Sequence, residues 1–308
     1  MKCVVLGGAG FLGSHLTDAL LTAGYEVRVF DRPNVTRAKP HTQSHEVEWL
    51  EGDFLNKKDL AAALVGCDIV YHLVSTTLPK TSNDNRLYDL ETNVAGTLTL
   101  LDLVRASRPS MKIVFASSGG TVYGIPREVP IKETHPTDPI CAYGIGKLAI
   151  EKYLHLYHVL DGIEYRVLRL ANPYGEGQRT TSGQGIITAC LDKILRGEPI
   201  EIWGDGRVVR DYLYVGDAME AFLKVTAYSG VHRVFNIGSG EGKSVLEVLS
   251  AVEAVAGRHL PRRVLSGRDF DVPANVLDIS RAHEHLGWQP RTSLHQGLER
   301  TFTWLLAH

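Results

Sequence analysis

Two features of this chain could do chemistry together. One is Tyr143-Gly-Ile-Gly-Lys147; the other is the glycine-spaced opening Gly7-Gly-Ala-Gly-Phe-Leu-Gly13. Residues four apart on a helix share one face, so the Lys147 ammonium can lie beside the Tyr143 phenol and favour its phenolate. Bringing a tyrosine from a pKa of about 10 to near neutrality takes about three units, roughly 4 kcal/mol of differential stabilisation. One cation supplies part of that. The positive nicotinamide of an oxidised dinucleotide can supply more, and the glycine opening is where such a molecule would bind.

Gly7, Gly10 and Gly13 follow a strand and open a helix. Without side chains there, backbone reaches a pyrophosphate, and the helix amino end, with Phe11 and Leu12 in its first turn, favours negative charge. Asp31 ends the second strand, where its carboxylate can accept from both adenosine ribose hydroxyls and repel a 2′-phosphate. NAD is therefore expected rather than NADP, a choice that Arg32 directly behind can soften. Asp53, with Phe54 beside it, follows the third strand and can accept from the adenine amino group; a helix N-cap before Leu55 is the other reading. His72 ends the fourth strand and reads as structural.

The elements that must position these groups alternate from the start. Strand patterns at Cys3–Leu6, Glu26–Phe30, Val47–Leu50, Ile69–Leu73, Ile113–Ala116 and Tyr165–Leu170 alternate with helical patterns, among them Phe11–Ala23, Leu87–Ser107 and Tyr143–Leu160. This is an α/β doubly wound parallel sheet, the Rossmann arrangement. After Leu170 glycine-rich loops interrupt the rhythm, so residues 1–171 are expected to form a dinucleotide-binding domain with a returning segment near 211–237. Residues 172–308 are expected to form mainly a smaller carboxyl-terminal substrate lobe.

A formal charge of −2 across 308 residues gives no reason to expect nucleic acid or an anionic membrane as partner. The four cysteines show no metal-ligand spacing and suit free thiols in a reducing compartment. No apolar run is long enough for a signal peptide or a membrane helix, so cytoplasm is the expected location.

Together these residues resemble the extended short-chain dehydrogenase/reductase family, within it the NAD-dependent nucleotide-sugar epimerase and dehydratase group. The resemblance covers the whole length. It also rests on Asn93-Val-Ala-Gly-Thr97, Ser117-Ser-Gly-Gly-Thr-Val-Tyr-Gly124, Arg207-Val-Val-Arg-Asp-Tyr-Leu-Tyr-Val-Gly-Asp217, Arg268-Asp-Phe-Asp-Val-Pro-Ala-Asn275 and Leu286-Gly-Trp-Gln-Pro290.

The resemblance implies that Tyr143 deprotonates a sugar 4-hydroxyl and that Lys147 also holds nicotinamide-ribose hydroxyls. The family's serine or threonine three residues before Val-Tyr-Gly is Gly119 here. Thr121 or Ser118 can supply the hydroxyl instead, with Thr121 preferred. Asn172, Arg210, Arg268 and Asp271 match positions that hold the nucleotide diphosphate, and Asn275 borders the sugar 2-substituent.

The expected reaction is inversion at carbon 4 of a UDP-hexose, plain, N-acetylated or uronic. A 4,6-dehydratase would need an Asp-Glu pair where Gly120-Thr121 stand. A non-catalytic nucleotide-sugar sensor is the other class, favoured by Gly119 and opposed by Tyr143 and Lys147. The resemblance further implies a homodimer built on the two long helices, with Leu98, Leu101, Val104, Leu148, Tyr153 and Leu156 as candidate contacts.

Overall fold

The computed structural model describes residues 1–36, 38, 47–79, 81–180, 185–259, 261–266 and 272–308. The strands are β1 (Lys2–Leu6), β2 (Glu26–Asp31), β3 (Val47–Glu51), β4 (Ile69–His72), β5 (Lys112–Ser118), β6 (Tyr165–Leu170), β7 (Asn172–Tyr174), β8 (Ile200–Trp203), β9 (Val209–Tyr214), β10 (Val234–Ile237), β11 (Gly242–Ser244), β12 (Arg262–Leu265) and β13 (Ala274–Asn275). The helices are α1 (Phe11–Thr22), α2 (Lys57–Leu64), α3 (Arg86–Asp89), α4 (Gly96–Ser107), α5 (Ala142–Asp161), α6 (Ile186–Arg196), α7 (Val215–Ala227), α8 (Val245–Ala256), α9 (Ser280–Leu286) and α10 (Leu294–Ala307). A π-helical turn, Leu90–Ala95, runs between α3 and α4.

The chain divides into two compact units. The first holds Met1–Gly124, Pro136–Arg169 and Met219–Phe235; the second holds Ile125–His135, Leu170–Ala218 and Asn236–His308.

The first unit is organised by a seven-stranded sheet in the order β10-β6-β5-β4-β1-β2-β3. Cys3, Val4, Val5 and Leu6 are all buried, as a parallel strand covered on both faces demands. The strand order reverses between β1 and β4, the switch point beyond which doubly wound sheets bind ligands. Register across that point is tight: Leu6 pairs with Phe30 on one side and His72 on the other, and His72 pairs with Phe115. The turns that leave these four residues therefore start from one level of the carboxyl edge.

Beneath the sheet, Phe54, Leu101, Val104, Ile150 and Leu154 pack with Leu6, Phe30 and Phe115 in one apolar cluster. Two expected dimer contacts are corrected here. Leu101 and Val104 are fully buried against the sheet, because they lie on the inward face of α4.

In the second unit β9 is central. It pairs with β11, β13 and β7, and the parallel register sets Asn172 opposite Tyr212 and Asn275 opposite Arg210. Buried Asp211 fastens this sheet to the segment after β10, accepting from the Ser239 N–H and hydroxyl, both at 2.7 Å, and from the Leu277 N–H. Burial raises its pKa. Among the described residues, no helix is long and apolar enough to cross a membrane.

Candidate active site

The glycine turn is shaped by contacts that admit no side chain. Gly7 has φ +84°, and a Cβ on Gly13 would lie 2.2 Å from the Gly7 carbonyl oxygen, so the first turn of α1 rests on the turn itself. A Cβ on Gly8 would lie 2.6 Å from a Val29 methyl carbon. Gly10 differs. It is exposed, and among the described residues a Cβ there would meet the Gly7 oxygen at 3.3 Å. Gly10 is also the N-cap of α1 and offers no side-chain acceptor, which leaves the amino end of this 12-residue helix open to an anion.

Asp31 closes the turn from β2. One carboxylate oxygen accepts the Ala9 N–H at 2.9 Å and the other the Arg32 N–H at 2.8 Å. A carboxylate offers about four acceptor sites, so both oxygens keep capacity for ribose hydroxyls. An open helix end and an aspartate at this spacing fit the pyrophosphate and adenosine ribose of NAD.

Asp53 accepts the Leu55 N–H at 2.9 Å and so stabilises its own turn, while the cap of α2 is Asn56, which accepts from Lys58 and Asp59. Phe54 stands next to this proposed adenine contact, but its ring is buried in the core and stacks on His72 with centroids 5.2 Å apart. His72 is structural in this arrangement. Because Thr97 donates to the Asn93 carbonyl, it accepts from His72 Nε2–H at 2.8 Å. Burial, with Lys147 nearby, lowers the His72 pKa to about 3 and keeps the ring neutral.

Tyr143 lies in the first turn of α5. Cys141, the N-cap, contributes no side-chain hydrogen bond. The orphan donors are capped from another element: Asn83 accepts the Ala142 N–H at 2.9 Å and Ser82 the Tyr143 N–H at 3.0 Å. Gly144 permits close approach to the next loop, since a Cβ there would meet the Thr121 carbonyl oxygen at 2.8 Å. Lys147 lies one turn on. Its ammonium donates to the Ala116 carbonyl at 3.0 Å and sits 4.7 Å from the Phe115 ring centre and 5.5 Å from that of Tyr143.

Burial lowers the Lys147 pKa to about 8, with Asp89 and Glu151 holding it up. Tyr143 moves the other way. Burial raises its pKa well above the ordinary tyrosine value, Cys141 and Asp89 add to the rise, and a hydrogen bond with Ser75 opposes it. Lys147 alone thus does not make the phenol acidic in the ligand-free chain.

Of the two candidate hydroxyls, Thr121 is favoured by its surroundings. Its Oγ1 is buried with no hydrogen-bond partner among the described residues, a costly state that a ligand oxygen would relieve. Ser118 is half-buried beside Gly120. Ser117 is committed elsewhere, donating to Glu151 at 2.5 Å.

In the second unit, Asn172, Arg210 and Asn275 are brought onto one sheet. Asn172 donates to the Asp211 carbonyl at 2.9 Å; Arg210 donates to the Val209 and Val272 carbonyls at 2.9 and 2.6 Å; Asn275 is buried. Arg268 and Asp271 lie outside the described residues.

Sequence reasoning missed Ser75, Ser82 and Asp89. Their signal was only the Ser-Thr-Thr and Thr-Ser-Asn clusters after β4, which read equally well as ordinary loop. Asp89 is buried, takes the Thr77 hydroxyl and receives Asn93 Nδ2 at 3.2 Å.

Fold and site together define a dinucleotide-binding protein of the extended short-chain dehydrogenase/reductase type. The profile of the NAD dependent epimerase/dehydratase family matches residues 3–238, and the chain belongs to that family, whose cofactor is NAD. It is 33% identical over 306 residues to UDP-glucose 4-epimerase of Mycolicibacterium smegmatis, covering 98% of this chain and 97% of the relative. It is similar to the crystal structure of Thermotoga maritima UDP-glucose 4-epimerase with UDP-glucose, with TM-score 0.93 and 33% identity over 100% of this chain and 99% of that one. UDP-N-acetylglucosamine 4-epimerase of Methanobrevibacter ruminantium, in complex with UDP-N-acetylmuramic acid, gives TM-score 0.92 and 26% identity over 99% and 98%.

Proposed function

We propose that this protein inverts carbon 4 of a UDP-hexose through a transient 4-keto sugar. The observation that carries the reading is Tyr143 and Lys147, one turn apart on α5, with Lys147 bound to the strand that runs out at the carboxyl edge of the sheet. In this reading Tyr143, ionised once positive charge is bound beside it, takes the proton of the sugar 4-hydroxyl. NAD, held by the glycine turn and Asp31, would supply the hydride acceptor and donor for carbon 4. Lys147, with a pKa of about 8, is mostly cationic at neutral pH and orients the nicotinamide ribose. Thr121 donates its hydroxyl to the reacting oxygen. Tyr143 keeps the proton while the ketone turns over, then returns it to the oxygen on the opposite face, so no net redox change occurs.

Asn172, Arg210, Arg268 and Asp271 are proposed to hold the nucleotide diphosphate, and Asn275, smaller than a tyrosine, to leave room for a 2-acetamido group. A homodimer is proposed over exposed Leu87, Leu90, Tyr153, Leu156 and Leu160 on the α3 to α5 helices.

The test is conversion of UDP-galactose to UDP-glucose, extended to the N-acetylated and uronic UDP-sugars. Tyr143→Phe is expected to keep NAD and lose about 10²- to 10⁴-fold in turnover. Wild-type rates in that variant exclude the mechanism. Bound NAD without conversion of any UDP-hexose favours the sensor.

A further inference from the structure

Tyr143 stands ahead of the hydrogen-bond ladder of its own helix. The ladder opens with the Ile145 N–H, which donates to the Cys141 carbonyl at 3.0 Å, so intrahelical bonds do not locate the Tyr143 N–H. We infer that Ser82 and Asn83, on the connection after β4, are positioning residues for the reaction proposed above: by holding the first turn of α5 they fix where Tyr143 stands relative to Lys147. The inference rests on the proposed proton transfer by Tyr143.

Both bonds are direct. Ser82 Oγ accepts the Tyr143 N–H at 3.0 Å, and Asn83 Oδ1 accepts the Ala142 N–H at 2.9 Å. Ser82 is itself fixed. It is fully buried in a short 3-10 turn, Thr81–Asn83, where its N–H donates to the Leu78 carbonyl at 2.9 Å and its hydroxyl to the Pro79 carbonyl at 3.2 Å. With the hydroxyl proton committed to Pro79, an oxygen lone pair is left for Tyr143. Thr81 closes the same turn, accepting the Leu78 N–H on its hydroxyl at 3.1 Å and the Asp84 N–H on its carbonyl at 3.2 Å.

Tyr143 and Lys147 are thus located by different parts of the fold. Lys147 is bound to β5 through the Ala116 carbonyl, whereas the turn of Tyr143 is held by Ser82 and Asn83 and, at Gly144, rests on the Thr121 carbonyl and on Pro139. Without the Ser82 acceptor the first turn frays, and a displacement of about 1 Å in a reacting group can cost about 10²-fold in rate.

The other end of the connection lies against the dinucleotide turn. A Cβ on Gly7 would lie 3.3 Å from the Val74 nitrogen and 3.4 Å from the Leu73 carbonyl carbon. Between the two ends Thr76 gives its N–H to Asn93 Oδ1 at 3.0 Å and Thr77 donates to Asp89. These ties isolate the glycine turn from changes at Ser82, so a loss there falls on chemistry and not on cofactor retention.

The experiment uses the NAD-loaded protein and the UDP-hexose it converts. Ser82→Ala is expected to slow kcat about three- to thirtyfold, with KM and bound NAD unchanged. Amide hydrogen exchange at Tyr143 should quicken by a similar factor, while that at Leu154, deep in α5, holds. Asn83 is exposed, so its variants test the same idea without disturbing buried packing. Asn83→Ala should slow kcat about two- to tenfold, and Asn83→Asp, which keeps an acceptor for the Ala142 N–H, should restore it. A folded, NAD-loaded Ser82→Ala with the wild-type kcat overturns the proposal. So does an Asn83→Asp as slow as Asn83→Ala, or a loss that falls on KM or NAD retention instead of kcat. Faster exchange at Tyr143 in Ser82→Ala, in a protein that converts no UDP-hexose, supports the placing of Tyr143 by Ser82 and counts against the epimerase reading alone.

Discussion

Arg169 on β6 grips the Glu151 carboxylate of α5 with Nη2 2.6 Å from Oε2 and Nε 3.1 Å from Oε1, and both side chains are buried. Glu151 also receives Ser117 from β5, and Arg169 donates to the Tyr123 hydroxyl at 2.9 Å. One buried cluster therefore ties α5, β5, β6 and the Val122-Tyr-Gly124 turn together, one helical turn below Lys147. It fixes the rotation of the helix that presents Tyr143.

Breaking that pair from one side strands a buried charge. Arg169→Met is expected to lower unfolding free energy by about 3–5 kcal/mol. Adding Glu151→Leu should recover most of the loss, because the double variant buries no unpaired charge. Urea unfolding of the two single variants and the double variant measures the coupling.

Lys147 predicts a pH dependence of folding in cofactor-free protein. Its folded pKa is lowered to about 8 from 10.5, so between these values the unfolded chain holds a proton that the folded chain has lost. Stability conferred through this group therefore rises with pH, by about 1.4 kcal/mol per unit and about 3 kcal/mol across the window. Lys147→Met lacks the term. The wild type should gain on that variant from pH 8 towards 10.5, as read by urea midpoints at each pH.

The glycines of the first turn should separate into two kinds. Gly13→Ala drives a methyl to 2.2 Å from the Gly7 oxygen and is expected to cost at least about 2 kcal/mol of stability. Gly10→Ala puts a methyl 3.3 Å from the same oxygen, a tight contact that a shift of a few tenths of an ångström relieves, so it should cost clearly less stability than Gly13→Ala while NAD affinity falls at least about tenfold. Thermal unfolding and NAD titration of both variants distinguish the packing glycine from the ligand glycine.

Asp31→Asn keeps an acceptor for the Ala9 N–H but removes the charge that repels a 2′-phosphate. The preference for NAD over NADP is expected to fall at least about tenfold, some 1.4 kcal/mol. Titration with each dinucleotide, followed by tryptophan fluorescence, tests it; an unchanged ratio places the discrimination elsewhere.

The sequence by itself determined what depends on neighbours along the chain. The glycine spacing, Asp31 at a strand end, the Tyr143 and Lys147 spacing and the alternation of apolar strands with helical stretches are all short-range geometry, and the parallel sheet follows from them. What the tertiary structure decided are contacts between residues far apart in sequence. Ser82 caps the helix of Tyr143 from 61 positions away. Leu101 and Val104 turned inward, the Phe54 ring went into the core, and residues 125–135 joined the second unit, because packing against the sheet, with no local signal, set those choices. The acidity of Tyr143 was decided there too. The i,i+4 spacing puts a cation beside the ring, but burial outweighs it, since desolvating a phenolate costs more than one ammonium over 5 Å from the ring centre returns.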